Sequence, residues 1–66
     1  MKEPNPPLRG LRERRLFRNI NQVDAGRIIG VGQSHYRQFE SGQVRLDIHR
    51  AKLLADAFDC TIEDLL

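Results

Sequence analysis

The segment QVDAGRIIGVGQSHYRQF, residues 22–39, carries the clearest structural pattern in this 66-residue chain. It begins with a helical pattern that contains the small pair Ala25 and Gly26, and Gly30 follows four residues later. A second helical pattern comes next, in which only two aromatic residues are large and apolar. This pattern predicts two helices that cross closely through a tight turn, the second of which presents a polar face to an outside partner.

Residues before and within this segment predict the first two helices. Helix 1 is predicted at residues 8–17, where arginines surround a side formed by three leucines: Leu8, Leu11 and Leu16. Asn21 is the expected N-cap of helix 2, and Asp24 places a carboxylate in its first turn. Gly30 predicts that helix 2 ends near residue 29, in a backbone conformation with positive φ.

Residues after the segment predict the remaining helices. Helix 3 is expected to end before Gly42, and Asp47 is the expected cap of helix 4. The inner stripe of helix 4 consists of five apolar residues at helical spacing: Ile48, Ala51, Leu54, Ala55 and Phe58. Thr61 and Asp64 resemble a capping box, which predicts a final short helix at residues 61–66. No strand pattern is found, so we expect an all-α fold with five short helices.

Length and composition indicate one small domain in a reducing compartment. Residues 1–7 contain three prolines and are predicted to form a flexible lead-in, which leaves residues 8–66 as the folded domain. The single Cys60 excludes an internal disulfide framework and a cysteine-based zinc site. No apolar run approaches the roughly 20 residues of a membrane span and no secretory signal is recognisable. We therefore expect a cytoplasmic protein without membrane association.

Charge is unevenly distributed along the chain. Residues 1–45 carry nine basic and four acidic side chains, a balance of +5. Residues 46–66 carry two basic and five acidic side chains, a balance of −3, and the two parts give the net charge of +2. A basic first part is typical of nucleic-acid binders, but chance clustering on a solvated surface gives the same numbers. Charge alone leaves both interpretations open.

The polar face of helix 3 has the chemistry of base recognition. It consists of four side chains that lie away from the two aromatic residues: Gln33, Ser34, Arg37 and Gln38. Glutamine can pair with adenine, arginine with guanine, and serine with several base edges. An ordinary solvated helix more often carries Glu and Lys, and it would be the favoured interpretation if this helix stood alone.

Residues 8–66 resemble the helix-turn-helix family of phage repressors and Cro proteins, also known as the xenobiotic-response-element type. With Gln22 as the first position, this family has a small residue at position five, glycine at position nine, and apolar residues at positions four, eight, ten, fifteen and eighteen. All seven positions match: Ala25, Gly26, Ile29, Gly30, Val31, Tyr36 and Phe39. Glu40-Ser41-Gly42 is similar to the family's Glu-Asn-Gly after helix 3. The resemblance implies a compact five-helix lambda-repressor-like DNA-binding domain.

The resemblance also implies roles for individual residues. Base edges would be contacted by four side chains of helix 3: Gln33, Ser34, Arg37 and Gln38. Phosphates would be contacted by six residues: Asn21, Gln22, His35, Ser41, Gln43 and Arg45. Arg15 and Glu40 match positions that form a partly buried ion pair in relatives. Such a pair would orient helix 3 more than it would stabilise the fold, because desolvation offsets much of the attraction.

The implied function is that of a sequence-specific transcriptional regulator, a repressor, with no enzymatic activity, cofactor or metal. Its partner would be double-stranded DNA, bound by a homodimer at a pseudo-palindromic operator, because one short module makes few contacts. A bacterial or phage-encoded protein of this kind would be cytoplasmic and associated with the nucleoid. No small-molecule ligand is evident, and His35, His49 and Cys60 lack metal-ligand spacing.

One alternative is an antitoxin-like or adaptor module that keeps this fold as a protein-interaction surface without reading DNA. The acid-free face of helix 3 and the basic first part of the chain argue against it.

Three departures from the family pattern concern local stability. Ala25 replaces a larger apolar residue, Gly32 replaces the Ser or Thr cap of helix 3, and Asp59 replaces the glycine after helix 4.

Overall fold

The computed structural model describes residues 6–66, and every regular element in that range is helical. There are four α-helices, followed by one turn of 3-10 helix: α1 Arg9–Phe17, α2 Gln22–Ile28, α3 Gln33–Ser41, α4 Ile48–Ala57 and the 3-10 turn Glu63–Leu65. The all-α class is therefore confirmed. Most of the lead-in predicted at residues 1–7 lies outside the described residues.

The prediction of five helices is wrong, because the last element is a single 3-10 turn rather than a helix over residues 61–66. The expected capping box does form: the Asp64 amide donates to Thr61 Oγ at 3.2 Å and the Thr61 amide donates to Asp64 Oδ2 at 3.0 Å. The turn is tight because Leu65 is buried in the core while the backbone here lies against Gly10. A Cβ atom at Gly10 would overlap the carbonyl oxygen of Asp64, so only glycine permits this approach.

One hydrophobic core joins all five elements. Its buried members are Leu11, Ala25, Ile29, Tyr36, Phe39, Ala51, Leu54, Ala55, Phe58 and Leu65. Four of the five residues predicted for the inner stripe of α4 are among them, but Ile48 is 71% exposed. Ile48 is the first residue of α4, where the helix has only begun to cross the core. The stripe therefore begins one turn later than predicted.

The buried side of α1 also differs from the prediction. Leu11 is buried and Leu8 is half-buried, but Leu16 is 51% exposed. Arg15, four residues after Leu11, is buried in its place. Successive helical residues are about 100° apart, so burial of Arg15 turns Leu16 away from the core. A charged residue takes this inner position because its charge is paired with a buried partner.

The crossing of α2 and α3 depends on two glycines. A Cβ atom at Gly26 would lie 2.7 Å from the carbonyl oxygen of Val31 and 3.3 Å from that of Gly32, so the turn leaves no room for a side chain. Gly30 has φ of +73°, which confirms the left-handed conformation predicted at the end of α2. The turn residues 29–32 thereby fix α3 against α2.

Local caps fix the start of two helices. Asn21 Oδ1 accepts from the Asp24 amide at 2.8 Å at the start of α2, and Asp47 Oδ2 accepts from the Arg50 amide at 3.0 Å at the start of α4. Both predicted caps are confirmed. Gly32 precedes α3 without a side-chain acceptor, as its departure from the family pattern predicts.

Candidate nucleic-acid interface

The outer face of α3, which we define as Gln33, Ser34, Arg37 and Gln38, is exposed. The opposite side of the helix buries Tyr36 and Phe39 in the core. None of the four outer side chains makes a hydrogen bond or an ion pair with another residue between 6 and 66. Their donors and acceptors are therefore all available to an outside partner, and the structure brings the four together on one surface.

A buried ion pair holds the C-terminal end of α3 against α1. Arg15 Nε donates to Glu40 Oε2 at 2.7 Å, and Arg15 Nη2 lies 3.4 Å from Glu40 Oε1. Arg15 Nη1 donates in addition to the carbonyl oxygen of Ile20 at 2.9 Å. Burial lowers the pKa of Arg15, but the hydrogen bond and charge of Glu40 outweigh it, so that this pKa is raised and the guanidinium stays charged. The amide of Leu8 adds a backbone hydrogen bond to the Glu40 carbonyl at 2.9 Å.

Tyr36 brings a polar atom into this buried region. Its hydroxyl group is buried and has no hydrogen-bond partner among the described residues. Burial raises the pKa of Tyr36, and the negative charge of Glu40 adds to the effect while Arg15 opposes it. The hydroxyl therefore stays neutral. The family pattern requires only an apolar residue at this position, so it does not predict the unpaired hydroxyl.

The six residues predicted to contact phosphates lie in three places around α3. Asn21 and Gln22 lie at the start of α2, where the Asn21 oxygen already caps the helix and leaves its amide group as a donor. His35 lies on α3, with its ring stacked on Phe39 at a centroid distance of 4.8 Å. The other three lie at the end of α3 and in the following loop and are all exposed: Ser41, Gln43 and Arg45. The Ser41 hydroxyl donates to the Gln38 carbonyl at 3.2 Å.

Arg50 is a basic residue near α3 that was not predicted from the sequence. Its guanidinium lies 5.9 Å from the centre of the Phe39 ring, on which His35 also stacks. Arg50 Nη1 donates to Asp47 Oδ1 at 3.1 Å, which holds the side chain at the start of α4. The spacing of three residues between Asp47 and Arg50 could have predicted this ion pair, but nothing in the sequence placed it beside α3.

Much of the basic charge in the first part of the chain is paired internally. Arg14 Nη2 lies 3.7 Å from Asp64 Oδ1, and Arg18 Nη2 lies 2.9 Å from Asp59 Oδ2. These acids belong to the second part of the chain, so the charge asymmetry of the sequence is partly closed within the fold. Arg37 and Arg45 are different, because both are exposed and neither has a carboxylate partner in the described range.

A family model described as helix-turn-helix matches residues 11–65, which include α2, α3, α4 and most of α1. This match covers most of the chain. The chain belongs to the Cro/C1-type helix-turn-helix family. No significant match is found among curated proteins or among solved structures.

Family membership gives the helix pair a general role. Cro/C1-type helix-turn-helix proteins are DNA-binding regulators and are generally not enzymes.

Between residues 6 and 66, none of the helices has the length and hydrophobicity of a membrane span. The same residues contain no group of His, Cys, Asp and Glu side chains that could hold a metal ion. Cys60 is half-buried against the core, and burial raises the pKa of its thiol.

Proposed function

We propose that this protein is a sequence-specific transcriptional repressor that binds a pseudo-palindromic operator as a homodimer, with α3 in the major groove. One observation carries the proposal: the side chains on the outer face of α3 are exposed and make no hydrogen bond within residues 6–66, whereas the inner side of the same helix is fixed by packing and an ion pair. A helix that is fixed in the core and carries a polar face is suited to direct readout, because no internal hydrogen bond has to break before these side chains meet bases.

The chemistry of the outer face suits a mixed base sequence. The carboxamides of Gln33 and Gln38 can each donate to and accept from an adenine, and Arg37 can donate twice to a guanine. Ser34, with one donor and two lone pairs, can bond to several base edges. The operator half-site is therefore expected to contain both adenine and guanine in the bases that α3 reaches.

Phosphate contacts would fix the register of α3 on the duplex. The proposed contacts are Asn21, Gln22, His35, Ser41, Gln43 and Arg45. Arg45 is the strongest of them, because it is exposed and has no carboxylate partner among the described residues. Such contacts add affinity for any sequence and make that affinity depend on salt. Arg15 and Glu40 would act indirectly, by holding α3 in the orientation that these contacts require.

A homodimer follows from the small size of the outer face. Four side chains on one short helix reach few base pairs, and a pair of half-sites about one helical turn apart doubles the contacts. Occupation of such an operator would repress transcription by excluding the polymerase. We place the protein in the cytoplasm of a bacterial or phage-infected cell, on the nucleoid, because its DNA is there.

Selection of bound duplexes from a random pool tests this proposal. The expected result is one motif with two-fold symmetry, bound with an affinity that falls steeply as salt rises. Arg37→Ala should lose affinity for that motif, whereas Arg12→Ala removes the same charge from the exposed side of α1 and should keep the specificity. Absence of any selected motif, with no salt-dependent affinity for duplex DNA, would instead favour the antitoxin-like or adaptor function.

A further inference from the structure

We propose that the outer face of α1 is a docking surface for an acidic amphipathic helix of another protein. We define this face by five exposed residues of the helix: Arg9, Arg12, Glu13, Leu16 and Phe17. It lies opposite the side on which α1 buries Leu11 and Arg15. None of the five residues belongs to the proposed DNA contacts, so the inference goes beyond the proposed function.

The last turn of α1 exposes two neighbouring apolar side chains. Phe17 is 80% exposed and Leu16 is 51% exposed. Neither belongs to the hydrophobic core or to the partly buried residues packed against it, so folding does not account for them. A large aromatic ring beside a leucine supplies apolar area that a protein interface can bury.

The arginines of α1 fall into two groups. Arg14, Arg15 and Arg18 each form an ion pair with an acid elsewhere in the fold. Arg9 and Arg12 lie on the outer face and have no carboxylate partner between residues 6 and 66. Their guanidinium groups are therefore available to the carboxylates of a partner, which an arginine binds with two parallel hydrogen bonds. Arginine is enriched in protein interfaces, whereas lysine is depleted there.

The charged and apolar parts of the face follow one another along the helix. Arg9, Arg12, Glu13 and Leu16 line one surface hollow, and Phe17 comes directly after them. A partner helix laid along α1 would therefore carry its carboxylates at one end and its apolar side chains at the other. The residue opposite Glu13, in the middle, would be neutral or basic.

This arrangement favours a protein helix over an anionic membrane or a second copy of the chain. A helix that lies in a membrane surface carries an apolar side along its length, whereas this face is apolar only at its end and carries Glu13 in the middle. Two copies would bring four arginines together with two glutamates, so like charges would repel. An acidic helix instead pairs with both arginines and covers Phe17.

The position of the face allows a partner to bind while α3 holds DNA. α1 meets α3 with its buried side, where Arg15 Nε donates to Glu40 Oε2 at 2.7 Å, so the outer face of α1 points away from α3. α1 has nine residues, or a length of about 14 Å, and so short a face supports a small, transient contact. The chain would thus connect an operator to a second protein.

Selection of peptides tests this inference without knowledge of the natural partner. A library of random helical peptides of about 18 residues, displayed on yeast, is sorted for binding to the full 66-residue chain. We expect a consensus with acids at one end and, at the other, apolar residues three or four positions apart. The consensus peptide is then synthesised, and isothermal titration calorimetry measures its affinity.

Phe17→Ser is the main variant, and Leu66→Ser is its matched control, because Leu66 is 74% exposed and lies outside the face. Phe17→Ser should bind the peptide about 30-fold more weakly than the wild type, whereas Leu66→Ser should bind it equally well. Both should melt as the wild type does, as followed by circular dichroism, because both replaced side chains are exposed.

The charges are tested by replacing Arg9 and Arg12 together with glutamine, which should weaken peptide binding about tenfold. Glutamine at Arg27 and Lys52 makes the same charge change at exposed positions of α2 and α4, and should leave the affinity unchanged. This pair of variants separates the outer face of α1 from the overall positive charge of the chain.

The assignment is overturned if no acidic consensus emerges or if Phe17→Ser binds the peptide as the wild type does. Flotation with phosphatidylglycerol vesicles and sedimentation of the chain alone examine the other two occupants. Vesicle binding or self-association that Phe17→Ser abolishes, in place of peptide binding, would also overturn it. Operator titrations are a separate readout, in which Phe17→Ser should match the wild type. If the wild type binds no duplex, the proposed function fails, and the peptide titrations still decide whether α1 docks a partner.

Discussion

The two sides of α3 differ in their contacts: the inner side is fixed within the protein, whereas the outer side is free. On the inner side, Tyr36 and Phe39 are buried and the Glu40 carboxylate is bound by Arg15 at 2.7 Å. On the outer side, the side chains of Gln33 and Arg37 are exposed and make no hydrogen bond to any residue that the structure describes. The inner side therefore determines where the helix lies, and the outer side is not needed for folding. Substitutions on the two sides should separate stability from recognition.

The largest effect is expected from breaking the ion pair on the inner side. Glu40→Ala leaves the Arg15 guanidinium buried without its carboxylate, which should lower the free energy of unfolding by about 3–5 kcal/mol. Urea denaturation measures this loss. Replacing both partners, Arg15→Met with Glu40→Leu, should recover most of the stability, because no charge is then buried. A single variant as stable as the wild type would show that the pair does not hold α3.

The next effect concerns the glycine on which the inner side of α3 rests. Gly26→Val places a branched side chain where even a Cβ atom would lie 2.7 Å from the Val31 carbonyl oxygen. The forced separation of α2 and α3 should cost about 1–3 kcal/mol of stability, measured by thermal melting. Gly32→Ser is the control, because a Cβ atom at Gly32 meets nothing within 4 Å and serine suits the N-cap position of α3. Equal melting of the two variants would contradict a close crossing at Gly26.

Substitutions on the outer side should change recognition and leave folding intact. Gln33→Ala and Gln38→Ala should each weaken binding to a selected operator by about 1–3 kcal/mol and relax the preference at one base pair, with unchanged thermal melting. Gln43→Ala provides the comparison, since a lost phosphate contact weakens all sequences alike. Competition assays against single-base variants of the operator distinguish the two patterns. Wild-type binding by both helix variants would refute the assignment of the outer face.

The smallest effect is expected at the unpaired hydroxyl on the inner side. Tyr36→Phe removes a buried oxygen that has no hydrogen-bond partner among the described residues, so it should raise the free energy of unfolding by less than about 1 kcal/mol. Operator affinity should not change. A clear loss of stability in urea denaturation would show that the hydroxyl takes part in the neighbouring ion pair.

Local features of the sequence correctly predicted several helix ends and the buried side of α3. The N-caps Asn21 and Asp47, the left-handed Gly30 and the burial of Tyr36 and Phe39 each depend on a few neighbouring residues, and the structure contains all of them. They could be predicted because caps, turns and helical periodicity are properties of short segments.

Features that depend on distant residues could not be predicted in the same way. Leu16 is exposed because Arg15 takes the inner position and pairs with Glu40, 25 residues away. The family resemblance implied this pair, but the helical pattern of α1 alone placed Leu16 on the inner side. The final turn is 3-10 because it packs against Gly10 near the other end of the chain. Counting charges along the sequence also overstated the basic surface, since Arg14 and Arg18 meet acids that only the fold brings close.

Methylation interference at guanine N7 tests most directly whether the outer side of α3 reads bases. The selected operator is partially methylated, and bound and free DNA are compared for the wild type and for Arg37→Ala. If Arg37 donates to a guanine in the major groove, methylation of that guanine in each half-site weakens wild-type binding and has no effect on the variant. The same pattern of sensitive guanines in both proteins, or no sensitive guanine for the wild type, would contradict recognition by this face.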